Sequence, residues 1–434
     1  MARQRSPGAC RRVRCTPFLL LLASWLAACG GSGGGGSDGP GALVGMFGVA
    51  GSIEVAGASY GTYASHVITD ATHMYVGGWT DELGSGAWRV EKRALLDGGL
   101  DPAFGAGGAL TINPSAGNDT LTALVRDDTH LYLGGFTNAP GDSWWRVERR
   151  SLVDGSLDPG FGAGGAVIEN PTPGADSLRA LLVAGSRLYV AITLDDAYRI
   201  ECRSAATGAL VDTFGVLGVL DIDPSPGYDS IDALVADGTS FFALGRDQTA
   251  GAGDWSIRVE KRSSSDGSLV AGFGVGGVLS SNVSATYDAV YDAAISDGWL
   301  YIAGTDEQAA GGNRRLHLEK RSVVDGSPDP AFGVGGLLAS NPSSGDDEYL
   351  ALTVRGGQIW LAGVDEVGGD GRWRLEKRLA SSGALDASFG SGGVVLFNVS
   401  GLYDQAEDIA VASERLVAVG LVGDDGWRIE ARQP

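Results

Sequence analysis

RVEKRALLDGGLDPAFGAGG, residues 89–108, is a passage to which the chain returns along almost its whole length. Its Arg-x-Glu-x-Arg core recurs around Glu91, Glu148, Glu201, Glu260, Glu319, Glu376 and Glu430. The Phe-Gly that follows recurs at Phe104, Phe161, Phe214, Phe273, Phe332 and Phe389, with one further copy at Phe47, ahead of the first Glu. Successive Glu positions are 57, 53, 59, 59, 57 and 54 residues apart. A period of that length filled with short strands is the signature of a propeller or solenoid.

One unit, taken from Asn118, reads as four strands. Leu121 to Val125 comes first, with a small residue at Ala123, and Leu131 to Gly135 follows after a polar turn. Trp145 to Arg150 is the third. Asp154-Gly155 then makes a tight hairpin, because Gly tolerates the positive φ such turns require. Ala166 to Glu169 is the fourth strand. Four strands per unit make one propeller blade. The ends of the chain decide how the blades are arranged: Phe47 has no Glu before it, and Glu430 has no Phe-Gly after it. If residues 47–55 supply the outer strand that Trp427 to Arg432 lacks, the ring closes and no sheet edge is left open. The expected fold is therefore all-β: a seven-bladed β-propeller over residues 43–434, four antiparallel strands per blade, closed by pairing of the N-terminal strand with the C-terminal strands.

The motif Gly-x-Leu-Asp-x-x-Phe-Gly-x-Gly-Gly, clearest at Gly98 to Gly108 and Gly155 to Gly165, resembles the delta-60 repeat family over about residues 43–432. Copies at Gly208, Gly267 and Gly326 are altered; Leu217, for example, stands where a Gly is usual. The resemblance implies an exported, propeller-like repeat protein and carries no catalytic residues with it.

Residues 1–28 form an Arg-rich start followed by an apolar run, Phe18 to Ala28, too short to span a bilayer and typical of a secretory signal. The run ends Leu26-Ala-Ala-Cys29-Gly30, which resembles the bacterial lipoprotein cleavage box. That resemblance implies lipidation of Cys29 and, with Gly30 next to it, anchoring at the outer membrane of a cell envelope. Acyl chains on Cys29 suffice for stable membrane attachment. Residues 29–42 comprise this Cys and a Gly/Ser-rich tether. Once the signal is removed Cys202 is the sole remaining thiol, so no disulfide framework forms within one mature chain. It is expected to be a buried, neutral filler.

The formal charge is −21, and loss of the five leader Arg takes the mature chain to −26. Such a field repels nucleic acid and fits a soluble monomer body. The four His are dispersed without zinc-ligand spacing, and no G-x-S-x-G elbow or Walker loop occurs. No cofactor is expected, with Ca²⁺ the one metal for which a weak case exists.

Candidate site residues come from two patterns. Asp119, Asp176, Asp229, Asp288, Asp347 and Asp404 recur where the chain enters each blade, on the same face as the acidic loops Asp81-Glu82, Asp195-Asp196, Asp306-Glu307, Asp365-Glu366 and Asp424-Asp425. They either cap their own turns or form an acidic face for Ca²⁺ or a cationic partner. Residues that break the repeat are the second pattern: Asp292 and Asp408, where other blades have Ala and the side chain can project toward the central channel, with Arg314, Arg315, His317 and Trp144-Trp145. The Arg-Glu-Arg faces are expected to form charged ladders between or along blades, and each Phe of Phe-Gly to be wedged between blades. A lipid-anchored, non-catalytic scaffold that binds a protein, glycan or small molecule through one acidic face is the expected function. A metal-dependent hydrolase or lactonase-like enzyme at the channel mouth, and a purely structural surface protein, are the alternatives.

Overall fold

The computed structural model describes residues 39–434 apart from 57–60, 140–141, 252, 308–311 and 424–425. The expected signal segment, Cys29 and Asp424-Asp425 lie outside the described residues. Among those described there are twenty-eight strands and no α-helix, sorted into seven antiparallel sheets of four. Each sheet is one blade of a β-propeller. In blade 2, Asp119–Arg126 lies innermost, then His130–Ala139, then Asp142–Ser151, with Ala166–Glu169 outermost. The innermost strands of the other blades are Tyr63–Thr69, Asp176–Ala184, Ser230–Ala236, Asp288–Ser296, Asp347–Arg355 and Gln405–Ala412, for blades 1 and 3 to 7. Those of blades 7 and 1 touch, so the ring is closed.

The seam forms as the unmatched ends require. Ser52–Ala56 pairs antiparallel with Gly426–Arg432, setting Ser52 opposite Glu430 and Val55 opposite Trp427. Blade 1 has the same register within its own chain segment, with Ala109 opposite Glu91 and Ile112 opposite Trp88. Closure also begins earlier than residue 43. Residues 39–42, assigned to the tether from composition, belong to the ring: Gly41 N donates to Gln433 O and Gln433 N donates to Ala42 O, both at 2.8 Å. Arg432 Nη1 donates to Gly41 O at 2.8 Å, as Arg93 does to Gly98 O and Arg150 to Gly155 O in ordinary hairpins. The physical reason is spacing: Gly41-Ala-Leu43 precedes Phe47 as Gly98-Gly-Leu100 precedes Phe104. Gly41 has φ +87, and a Cβ there would lie 2.6 Å from Gly390 N, so only Gly fits.

Two repeated devices hold the blades. The Glu of each third strand is buried, and its carboxylate is gripped by side chains two residues away on the same strand. Arg89 Nη2 reaches Glu91 Oε1 at 2.7 Å and Arg93 Nε reaches Oε2 at 2.6 Å. Glu376 is held likewise by Arg374 and Arg378, at 2.6 Å each. The ladders thus run along one strand, because residues i and i+2 share a face, and a buried carboxylate needs such partners. The second device is Phe-Gly. Phe104 packs among Tyr75 and Trp88 of its own blade and Leu131 and Leu152 of the next, and each of the seven Phe is buried at such an interface. The Gly after it donates its N–H across the gap to the next hairpin: Gly105 to Asp154 O and Gly274 to Asp325 O, both 2.9 Å. At the seam Gly390 finds Pro40 O instead, at 3.0 Å. Cys202, on the third strand of its blade opposite Tyr189, is buried, and burial pushes its thiol pKa up.

Candidate functional site

Every innermost strand carries a β-bulge near its start, where one residue drops out of register with the second strand. The displaced residues are Ser65, Thr122, Arg179, Asp232, Tyr291, Leu350 and Glu407. A bulge re-aims the side chain it displaces, and all seven line one axial cavity of about 490 Å³. Although the blades repeat in their strands and packing residues, this position holds a different residue in each. Arg179 Nη2 donates to Asp232 Oδ1 at 3.2 Å, and Thr122 Oγ1 donates to Leu178 O at 2.6 Å. Ser65 Oγ is buried with no hydrogen-bond partner among the described residues. Glu407 accepts from Gln405 Nε2 at 2.9 Å, and burial raises its pKa to about 7.

Asp292 and Asp408 sit next to the bulges of blades 5 and 7 and line the same cavity. Both carboxylates are spent on backbone. Asp292 accepts from Ala293 N and from Leu352 N of the next blade, each at 2.8 Å. Asp408 accepts from Ile409 N and from Val67 N of blade 1, each at 2.7 Å. They latch neighbouring innermost strands together rather than converging on an ion. Burial lifts Asp292 to about 7 and Asp408 to about 8, against the pull of these N–H groups. His66, at the equivalent place in blade 1, is lowered to about 4 by burial.

The six entry Asp do not form an acidic face. Asp119, Asp176, Asp229, Asp288, Asp347 and Asp404 are all buried, each folded back on its own loop. Asp119 accepts from Ser115 Oγ at 2.7 Å and from Ser115 N at 3.1 Å; Asp229 does the same with Ser225, and Asp404 with Ser400. Burial raises the pKa of Asp119, Asp176, Asp229, Asp288 and Asp347, the last to about 6. They cap turns. The neighbouring loops are less acidic in effect than in composition: Glu82 is paired with Arg89, while Asp306 and Asp365 are buried against Arg315 and Arg374. Asp195 and Asp196 remain exposed. No group of His, Cys, Asp and Glu fit to hold a metal occurs among the described residues.

What that face does carry is aromatic. The residue just before the entry Asp is Tyr228, Tyr287 or Tyr403 in three blades. Tyr228 packs edge-on to Trp255 at 5.5 Å between ring centres, and the Arg246 guanidinium lies 5.1 Å from Trp255 and 5.2 Å from Tyr287. Arg314, a repeat-breaking residue, covers Tyr287 at 4.6 Å. On blade 1, Tyr63 stacks on Trp79 at 6.0 Å. Of the other repeat-breaking residues, Arg315 pairs with Asp306 and His317 is buried between Asp306 and Glu319. Trp145 is core while Trp144 is exposed. The channel cavity itself is lined by donors, acceptors and the rings of Tyr63 and Tyr291 together. Position within the repeat, rather than residue type, unites the channel residues, and it is the bulge that fixes that position.

No protein-family model matches the sequence, and no curated protein matches it. Solved structures do. The Dos1 propeller matches at 13% identity over 85% of this chain and 77% of that one, with a TM-score of 0.45. Sqt1 from Chaetomium thermophilum matches at 11% over 87% and 97%, with a TM-score of 0.43. The Pyrococcus horikoshii acylaminoacyl peptidase matches at 11% and 0.43; this chain, 86% of which is covered, spans about half (52%) of the peptidase chain. The blade count stands on the strand pairing, not on these likenesses.

Proposed function

We propose that this chain is a lipid-anchored propeller of a bacterial envelope that binds a polar ligand, a glycan or a small molecule, at the mouth of its axial channel and without catalysis. One observation carries the proposal: seven blades built alike present seven unlike side chains to a single cavity. Packing needs common to all blades favour a common residue, so a position that lines the channel and differs in every blade points to a ligand with no sevenfold symmetry. A cavity of about 490 Å³ lies within the roughly 300–1,000 Å³ usual for small-ligand sites. The delta-60-like motif and the lipoprotein-like Cys29 box support an exported, anchored protein. The metal-hydrolase alternative loses its main support because Asp292 and Asp408 are committed to backbone N–H groups.

Capture of envelope glycans and small molecules from a detergent extract tests the proposal, comparing the native protein with an Arg179→Ala/Tyr291→Ala double variant. Ligand retained by the native protein and lost by the variant is the expected result. Equal capture by both would remove the channel mouth as the site.

A further inference from the structure

The face opposite the channel mouth has a chemistry of its own. Antiparallel order puts every turn from third to fourth strand there, and each turn presents two tips. One is the residue two beyond the Phe, and it is almost fully exposed where apolar: Val49 is 83% exposed, Val275 88% and Val334 88%. The other precedes the turn's Asp-Gly, as with Val153 at 71%. Hydrogen bonds between blades bring the two kinds together: Gly48 N to Asp97 O at 2.8 Å joins the turn of Val49 to that of Leu96, and Gly274 N to Asp325 O joins that of Val275 to that of Val324. Isolated exposed apolar residues are ordinary, but a band of them around one face calls for a partner.

Where the chain leaves the ring identifies that partner. Gly39 and Pro40 occupy the seventh of these turns, where Pro40 O accepts from Gly390 N. The chain segment before Gly39, which carries Cys29, therefore joins the ring at this face. The turn carboxylates accept from their own loops, Asp97 from Gly99 N at 2.9 Å and Asp154 from Ser156 N at 3.1 Å, and the Ser156 hydrogen bonds hold the Asp154 pKa below its usual value. We infer that this face rests on a zwitterionic lipid bilayer, its Val and Leu tips at the interface and the channel mouth turned to solvent. The inference stands on exposure and chain exit, and does not depend on what the mouth binds.

Residues 37–434 form a compact unit that holds all twenty-eight strands and both sides of the seam, so this segment can be tested without its leader. It is expected to co-sediment with phosphatidylcholine vesicles and less with phosphatidylglycerol vesicles. Val49→Ser/Val153→Ser/Val275→Ser/Val334→Ser is expected to weaken partitioning by about tenfold or more, given the contribution of each buried apolar group, without altering thermal unfolding. A polarity-sensitive dye on Val275→Cys should shift to the blue on adding vesicles, while one on Ala285→Cys, exposed on the opposite face, should not; Cys202 is buried and leaves the new thiol as the reactive one. No vesicle binding, binding untouched by the four substitutions, or a shift at residue 285 instead would each overturn the inference. So would concentration-dependent self-association that the same substitutions abolish, which would assign the face to a second copy. A Tyr291→Ala variant separates this from the channel site, since it should leave vesicle binding unchanged.

Discussion

Three blades place a cation between an acid on the second strand and the Glu of the third. Arg258 lies between Asp247 and Glu260, Arg374 between Asp365 and Glu376, and His317 between Asp306 and Glu319 at 2.9 Å from each. Burial pulls the His317 pKa down, but the two carboxylates outweigh it and hold it at about 9. Because the folded value lies above the ordinary 6.5 of a free imidazole, its contribution to stability is full below about pH 6.5 and is lost as pH rises toward 9. His317→Arg is expected to keep stability at neutral pH and remove that loss. His317→Gln, which leaves buried charge unpaired, should cost about 3 kcal/mol. Urea titrations at pH 6, 7.5 and 9 check both. Asp408 works across a different window. Its folded pKa of about 8 lies above the ordinary 3.8 of an Asp side chain, so the folded state keeps a proton that the unfolded state releases, and stability falls as pH rises between those values. Asp408→Asn should therefore gain on the native protein steadily across that range; a melting-point difference that does not change with pH would rule out the buried carboxyl as the cause.

At the scale of the element, the Phe-Gly turn is what each blade offers its neighbour. Phe332 sits edge-on to Tyr301 at 6.3 Å and packs against Ile359 and Ala380 of the following blade. Phe332→Ala is expected to cost about 3–5 kcal/mol in chemical denaturation, the usual range for emptying a close-packed aromatic site; a change near zero would mean that the interface closes over the gap. This device and the Arg-Glu-Arg grip were legible in the sequence because every blade needs them, so the residues recur at fixed spacing. The seam was legible for the same reason, from one Phe-Gly too early and one Glu too late. The entry Asp recur just as regularly, and in a loop a capping carboxylate and a solvent-facing one look alike in sequence; only the Ser or Thr four residues upstream, such as Ser115 before Asp119 and Thr172 before Asp176, hinted at the cap. The channel ring was not legible at all. Arg179, Tyr291 and Leu350 share no chemistry, and their common position appears only when the bulge fixes which residue leaves the strand register.

For the whole molecule, the seam decides whether there is one body or an open stack. Removing residues 39–56 takes away the fourth strand of blade 7 and uncovers the edge of Gly426–Arg432, an invitation to pair with other chains. Such a truncation is expected to aggregate, read as loss of the monomer peak in size-exclusion chromatography, whereas joining Pro434 to Gly39 and opening the chain at Ser344 should keep it monomeric. Gly41 and Gln433 are already hydrogen-bonded at 2.8 Å, so little linker is needed. A monomeric truncation would mean that blade 7 survives with three strands. The same arrangement has a consequence in time. During synthesis the strand that completes the ring is made first, yet it has nothing to bind until the final seven-residue strand emerges. A polypeptide cut short anywhere along its length leaves that early segment without its mate. Within the ring, the first strand is therefore hidden from proteases only once Gly426–Arg432 has been made.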